Sequence, residues 1–88
     1  MPRYTIFFKT GVEKDIRKIP RELIPFVVSH IEKLEENPIP REALKLSGAD
    51  HFYRIRVGDY RIIYQVLHDV HEVTVYYIRH RSIAYRAL

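Results

Sequence analysis

Apolar and polar positions recur with helical spacing before residue 37 and alternate with period two from residue 52 onward. Residues 3–8, rich in aromatic and β-branched side chains, predict a strand that Thr10 or Gly11 breaks. Val12, Ile16 and Ile19 predict a short amphipathic helix over 12–18, stopped by Pro20. Leu23, Val27, Ile31 and Leu34 form the stripe of a second helix running to Glu36, with Phe26 and His30 at its edges. Proline lacks the N–H that a helix interior needs, so this helix either starts near Leu23 or kinks at Pro25. Asn37-Pro38-Ile39-Pro40 ends it. Residues 41–51 read as a connector, with Leu44 and Leu46 anchoring it to the core.

The second half predicts a three-stranded meander. Gly58-Asp59, between Val57 and Tyr60, is a two-residue hairpin turn that needs a permissive first residue. The next strand covers 60–67, residues 68–71 reverse it, and the last strand covers 72–79. Residues 82–88 read as a short tail, with room for one helical turn. The expected fold is therefore α+β: an N-terminal strand, a helical hairpin and a meander. Together the N-terminal strand and the three-stranded antiparallel meander make one four-stranded sheet with the helices packed on one face, in a single domain spanning 1–88.

The hairpin turn also sets a register. Val57 faces Tyr60, Arg56 faces Arg61, Ile55 faces Ile62, Arg54 faces Ile63 and Tyr53 faces Tyr64. Tyr53, Ile55, Val57, Tyr60, Ile62 and Tyr64 then share an apolar face toward the helices, and Arg54, Arg56 and Arg61 emerge on the other. The second hairpin leaves two options open: Val73, Val75 and Tyr77 face the core, or Thr74, Tyr76 and Ile78 do. Either way residues 79–81 return beside Tyr60 and Arg61.

Charge sharpens this picture. The 88 residues carry a formal net charge of +4 and a pI near 9.5, which favours anionic partners. From residue 52 onward there are six arginines, no lysine and three acids. Like charges directly opposite each other on a sheet are unfavourable by a few tenths to about 1 kcal/mol, so Arg56 across from Arg61 wants an explanation. An anion bound between them is one. The alternatives are that the two side chains splay into water, or that each finds a carboxylate such as Asp59 or Asp50.

Composition narrows the other classes. With no cysteine, a disulfide frame and a thiolate zinc site are excluded. No apolar run is long enough to cross a bilayer, and residues 1–4 lack the pattern of a secretory signal, which points to a cytoplasmic protein. Phosphate-loop, dinucleotide, nucleophile-elbow and paired-carboxylate motifs are missing. His68-Asp69-Val70-His71 reads as a polar hairpin loop rather than a chelate. No metal or small-molecule cofactor is expected.

Arginines bind phosphate but do not transfer protons. Cleaving RNA without a metal requires deprotonation of the 2′-hydroxyl, protonation of the leaving 5′-oxygen, and stabilisation of the charge growing on the phosphoryl group. Clustered guanidiniums supply the last term. Tyr85 and His80 are the two candidates for proton transfer; guanidiniums beside a phenol favour its phenolate, and an imidazole titrates in the useful range.

The motifs Leu44-Lys45-Leu46-Ser47-Gly48, Tyr53-Arg54-Ile55-Arg56-Val57-Gly58-Asp59-Tyr60-Arg61, and Ile78-Arg79-His80-Arg81 followed by Tyr85-Arg86 carry a family resemblance. The chain resembles the RelE/ParE superfamily of toxin–antitoxin toxins, and RelE-like toxins most. The resemblance implies a ribosome-dependent endoribonuclease that cleaves mRNA in the A site by 2′-hydroxyl attack, and a cognate RelB-like antitoxin. It implies catalytic roles for Arg56, Arg61, Arg81 and Tyr85, and RNA contacts from Arg54, Lys45, Arg79, His80 and Arg86. Arg79 is the second candidate for the last catalytic arginine. Some relatives carry lysines at the positions of Arg54 and Arg56. Lysine can shuttle a proton and arginine cannot, which leaves the general base open between Tyr85 and His80. Both Arg61 and Arg81 are expected to be surface charges. Two other functions fit the same resemblance: a ParE-like inhibitor of DNA gyrase, and a non-catalytic RNA-binding or interaction module.

Overall fold

The computed structural model describes residues 3–84 of the chain. The elements are β1 (Thr5–Phe8), α1 (Val12–Arg17), a 3-10 turn (Arg21–Leu23), α2 (Ile24–Lys33), β2 (Leu44–Lys45), β3 (Phe52–Val57), β4 (Tyr60–Leu67), a second 3-10 turn (His68–Val70) and β5 (Glu72–His80). The strands form one sheet in the order β1-β5-β4-β3-β2. β1 runs parallel to β5, and the other pairings are antiparallel.

The α+β class stands, with five strands rather than four. The fifth, β2, comes out of the expected connector, where Leu44 pairs with Arg54 and Lys45 with Tyr53. Two residues are too few to show a period, so the pattern could not announce it. Leu44 does not anchor to the core. It shares Arg54's face of the sheet and is 53% exposed. Leu46 is half-buried and is held by its N–H, which donates to the Phe52 carbonyl at 2.9 Å. Ala43 is the connector residue that packs on the core.

Val12, Ile19, Val27, Ile31 and Leu34 meet Ile55, Val57, Ile62, Tyr64, Val66, Val73, Val75 and Ile78 in one apolar cluster. Burying each such side chain contributes about 1.5–3 kcal/mol. Pro25 lies in the first turn of α2, where a missing N–H costs nothing. The α-helix stops at Lys33, before Glu36. The N–H groups of Leu34, Glu35 and Glu36 bond three residues back, to Ile31, Glu32 and Lys33. This tightened last turn still seats Leu34 in the core. The Tyr64 hydroxyl donates to the Pro38 carbonyl at 2.8 Å and ties the sheet to the segment after α2.

Every pair expected across the first hairpin is present, from Tyr53 with Tyr64 to Val57 with Tyr60. Gly58 takes φ +58° while Asp59 stays at negative φ, the sign pattern of a type II′ turn. The second hairpin follows neither expected alternation. Ile63 pairs with Tyr77 and Tyr64 with Val75, so Tyr76 is an extra residue and the ladder shifts at Ile63/Tyr64. Before this bulge Val73 and Val75 face the core; after it Ile78 does. A bulge re-aims every side chain beyond it.

Candidate functional site

The bulge assembles the site. Beyond it, Arg79 pairs with Arg61, and Arg61 already pairs with Arg56. Paired residues project to the same side. Three arginines therefore stand in one row across β3, β4 and β5, on the sheet face away from the helices. Without the extra residue Arg79 would point toward the core. Arg54 follows one step along the same face, beside Ile63 and Leu44.

The cations of this row are not alike. Arg56 is exposed. Arg61 is only 8% exposed, which corrects the expectation of a surface charge. Its Nη1 donates to the carbonyls of Gly58 at 3.2 Å and Tyr60 at 3.1 Å, so the side chain folds back along the turn it follows. Arg79 lies with its guanidinium 4.1 Å from the centre of the Tyr77 ring. Among the described residues no carboxylate pairs with Arg56, Arg61 or Arg79. Asp59 goes to Arg81 instead: its carboxylate is 3.9 Å from Arg81 Nε, and its carbonyl accepts the Arg81 N–H at 2.7 Å. Arg81 is thereby fixed at the β3–β4 turn, at the end of the row, as an exposed charge.

Other expected site residues fall elsewhere. Lys45 pairs with Tyr53 and so sits on the helix side of the edge strand, away from the arginines. His80 pairs with Tyr60, also on the helix side, and its ring meets the Tyr60 ring edge-on at 5.5 Å. The same bulge that turns Arg79 toward the row turns His80 away from it. Tyr85 and Arg86 lie outside the described residues. Tyr64 takes no part: burial, then Tyr53 and Glu42 nearby, hold its phenol far above the ordinary range. Among the described residues no group of three or more His, Asp or Glu side chains is placed to hold a metal ion.

The arginine face also carries aromatics that alternation alone did not reveal. The Phe52 and Tyr76 rings meet at 4.7 Å, and Lys9 Nζ stands 4.9 Å from the Tyr76 ring. The doublet Tyr76-Tyr77 inside an otherwise alternating strand was the available signal for the bulge. Beside the row, around the edge of β5, Asp15, Lys18, Tyr60, Ile78, Arg79, His80 and Ile83 line a groove of about 340 Å³. Asp15 Oδ2 accepts the Ile78 N–H there at 3.0 Å.

Residues 6–85 match the family model described as the ParE toxin of the type II toxin–antitoxin system parDE. The chain belongs to the RelE/ParE superfamily of type II toxins. This RelE-family chain is 32% identical over 87 residues to a Methanocaldococcus jannaschii protein named toxin RelE1, covering 96% of this chain and 97% of the other. The archaeal RelE–RelB complex from Pyrococcus horikoshii superposes with a TM-score of 0.79 at 29% identity, covering 92% of this chain and 97% of that one. The Mycobacterium tuberculosis toxin–antitoxin complex RelBE2 gives a TM-score of 0.73 at 27% identity, with 90% and 99% covered. The superfamily toxin expected from the motifs is thus the family found.

Proposed function

We propose that this chain is a ribosome-dependent endoribonuclease that cleaves mRNA in the A site and thereby stops translation. The observation that carries the reading is the row Arg56–Arg61–Arg79, three like charges on adjacent strands with no carboxylate partner among the described residues. A phosphodiester is the ligand that relieves such an arrangement, because guanidinium forks match its oxygens. During 2′-hydroxyl attack the negative charge on the phosphoryl oxygens grows, and preorganised cations stabilise it without reorganising. Arg56, Arg61 and Arg79 act on that charge, Arg81 extends the cationic strip, and Arg54 holds the flanking backbone. None of these steps calls for a metal. Tyr85 is the proton-transfer group, since His80 faces the helices.

The toxin acts in the cytoplasm as a single domain. Its partner is a RelB-like antitoxin, as in the RelE–RelB complexes it resembles. The test is primer extension on mRNA from cells expressing the chain. New ends within codons support the nuclease. A second reading follows from the ParE description of the matching family model: inhibition of DNA gyrase. Intact message together with damaged DNA would select it.

A further inference from the structure

The sequence offers His80 as an RNA contact or proton carrier, and its placement on the helix side removes it from both roles. The ring is nonetheless engaged. The Ser82 backbone N–H donates to His80 Nδ1 at 3.2 Å, and the Ser82 hydroxyl lies 2.9 Å from the same nitrogen. A backbone N–H can only donate, so Nδ1 must carry a lone pair and the proton of the neutral ring sits on Nε2. The His80 carbonyl at the same time accepts the Ile83 N–H at 3.0 Å. One residue thus closes the chain reversal at Arg81–Ala84 from both its side chain and its backbone. That reversal carries Arg81 and leads to Tyr85.

We infer that His80 is a positioning residue, a neutral-ring clasp on Ser82 that sets the exit turn of β5 and so aims Arg81. A protonated ring has an N–H at Nδ1 and cannot accept from Ser82, so the clasp is made at high pH and lost as the ring charges. The Tyr60 ring from β4 meets the His80 ring, and Asp15 from α1 and Lys18 just after that helix line the same groove, while Arg79, before His80 in β5, projects from the other face. Arg81 and its partner Asp59 follow at the turn. None of them offers Ser82 a replacement acceptor in the structure. The activity half of this inference rests on the nuclease reading; the clasp itself does not.

The test has two arms. In the first, nitrogen-15 NMR of the full chain follows the His80 ring and the Ser82 amide from pH 5 to 8. Nδ1 should be the unprotonated nitrogen at the upper end, and the Ser82 amide should shift in step with the ring. A proton on Nδ1, or a Ser82 amide indifferent to the titration, overturns the clasp whether or not the chain cuts RNA. In the second arm, cleavage of mRNA on programmed ribosomes is followed against pH. His80→Ala should lose about tenfold at neutral pH, the worth of one hydrogen bond held at a site. His80→Asn places an acceptor oxygen where Nδ1 stands, so it should restore the rate and lose the fall on the acid side. His80→Ala with wild-type rate and the wild-type acid limb overturns the positioning role. If the wild type cuts nothing, the nuclease reading fails and the first arm still decides the clasp.

Discussion

Replacing Arg56 should make the fold more stable and the toxin less active. Val57 and Tyr60 close the hairpin turn, so Arg56 and Arg61 form the next, non-hydrogen-bonded pair, whose Cα atoms stand about 4.5 Å apart. Like charges directly opposite each other on adjacent strands cost about 0.2–1 kcal/mol. Arg56 is exposed, so removing it leaves no cavity and no unsatisfied buried group. Threonine is the replacement of choice because it keeps the strand preference. Arg56→Thr should therefore gain a few tenths to about 1 kcal/mol in urea unfolding at low salt. The gain should shrink as salt is raised, because the screening length falls from about 10 Å at 0.1 M to about 3 Å at 1 M. Cleavage on programmed ribosomes should fall by about 10²-fold, the lower end for loss of one transition-state donor. A destabilised Arg56→Thr, a gain that salt leaves untouched, or cleavage within threefold of wild type would refute the reasoning.

Arg61 should behave differently. Arg61→Met keeps the stem but deletes the two contacts to the Gly58 and Tyr60 carbonyls; it should lose about 1 kcal/mol in urea unfolding, as contact loss outweighs relieved repulsion, and cleavage should drop at least as far as for Arg56→Thr. Tyr64→Phe should cost about 1–2 kcal/mol by leaving the Pro38 carbonyl without its donor. Its pH profile should differ too: the folded state holds the Tyr64 proton above the ordinary value of 10.0, so this contribution is complete below pH 10 and declines as pH rises beyond it, by up to about 1.4 kcal/mol per pH unit. The wild type should therefore lose its advantage over Tyr64→Phe above pH 10. Asp15→Ala should lower thermal stability by about 1–3 kcal/mol by orphaning the Ile78 N–H, while Asp15→Asn, which keeps an acceptor, recovers most of it.

The first hairpin was legible because Gly58-Asp59 fixes both turn type and register, and period-two alternation leaves one way to bury Ile55, Val57 and Ile62. The second hairpin was not, because the Tyr76-Tyr77 doublet marks an irregularity without saying where the extra residue falls, and packing decides that. Val75-Tyr76-Tyr77-Ile78 satisfies either alternation locally. The core resolves it by taking Val75 before the extra residue and Ile78 after it. That one local event decides which of Arg79 and His80 joins the cationic row, so chain proximity was readable from the sequence and side-chain direction was not. β2 was missed because pairing of Leu44 and Lys45 to β3 needs no pattern. The burial of Arg61 was missed because a guanidinium on a strand reads as solvated unless the folding back onto its own turn is seen.

β5 keeps two different kinds of company along its length. From Glu72 to Val75 it lies between β1 and β4. Past Tyr76 it has β4 on one side, and on the other, among the described residues, the Asp15 carboxylate from α1 takes the Ile78 N–H. Backbone amides should therefore exchange slowly in the first stretch and faster at the Ile78 end, without the body of the protein opening. On the proposed nuclease reading, a rigid frame with a yielding margin would let the cation-bearing end adjust to a curved nucleic-acid backbone while the sheet beneath it keeps its register.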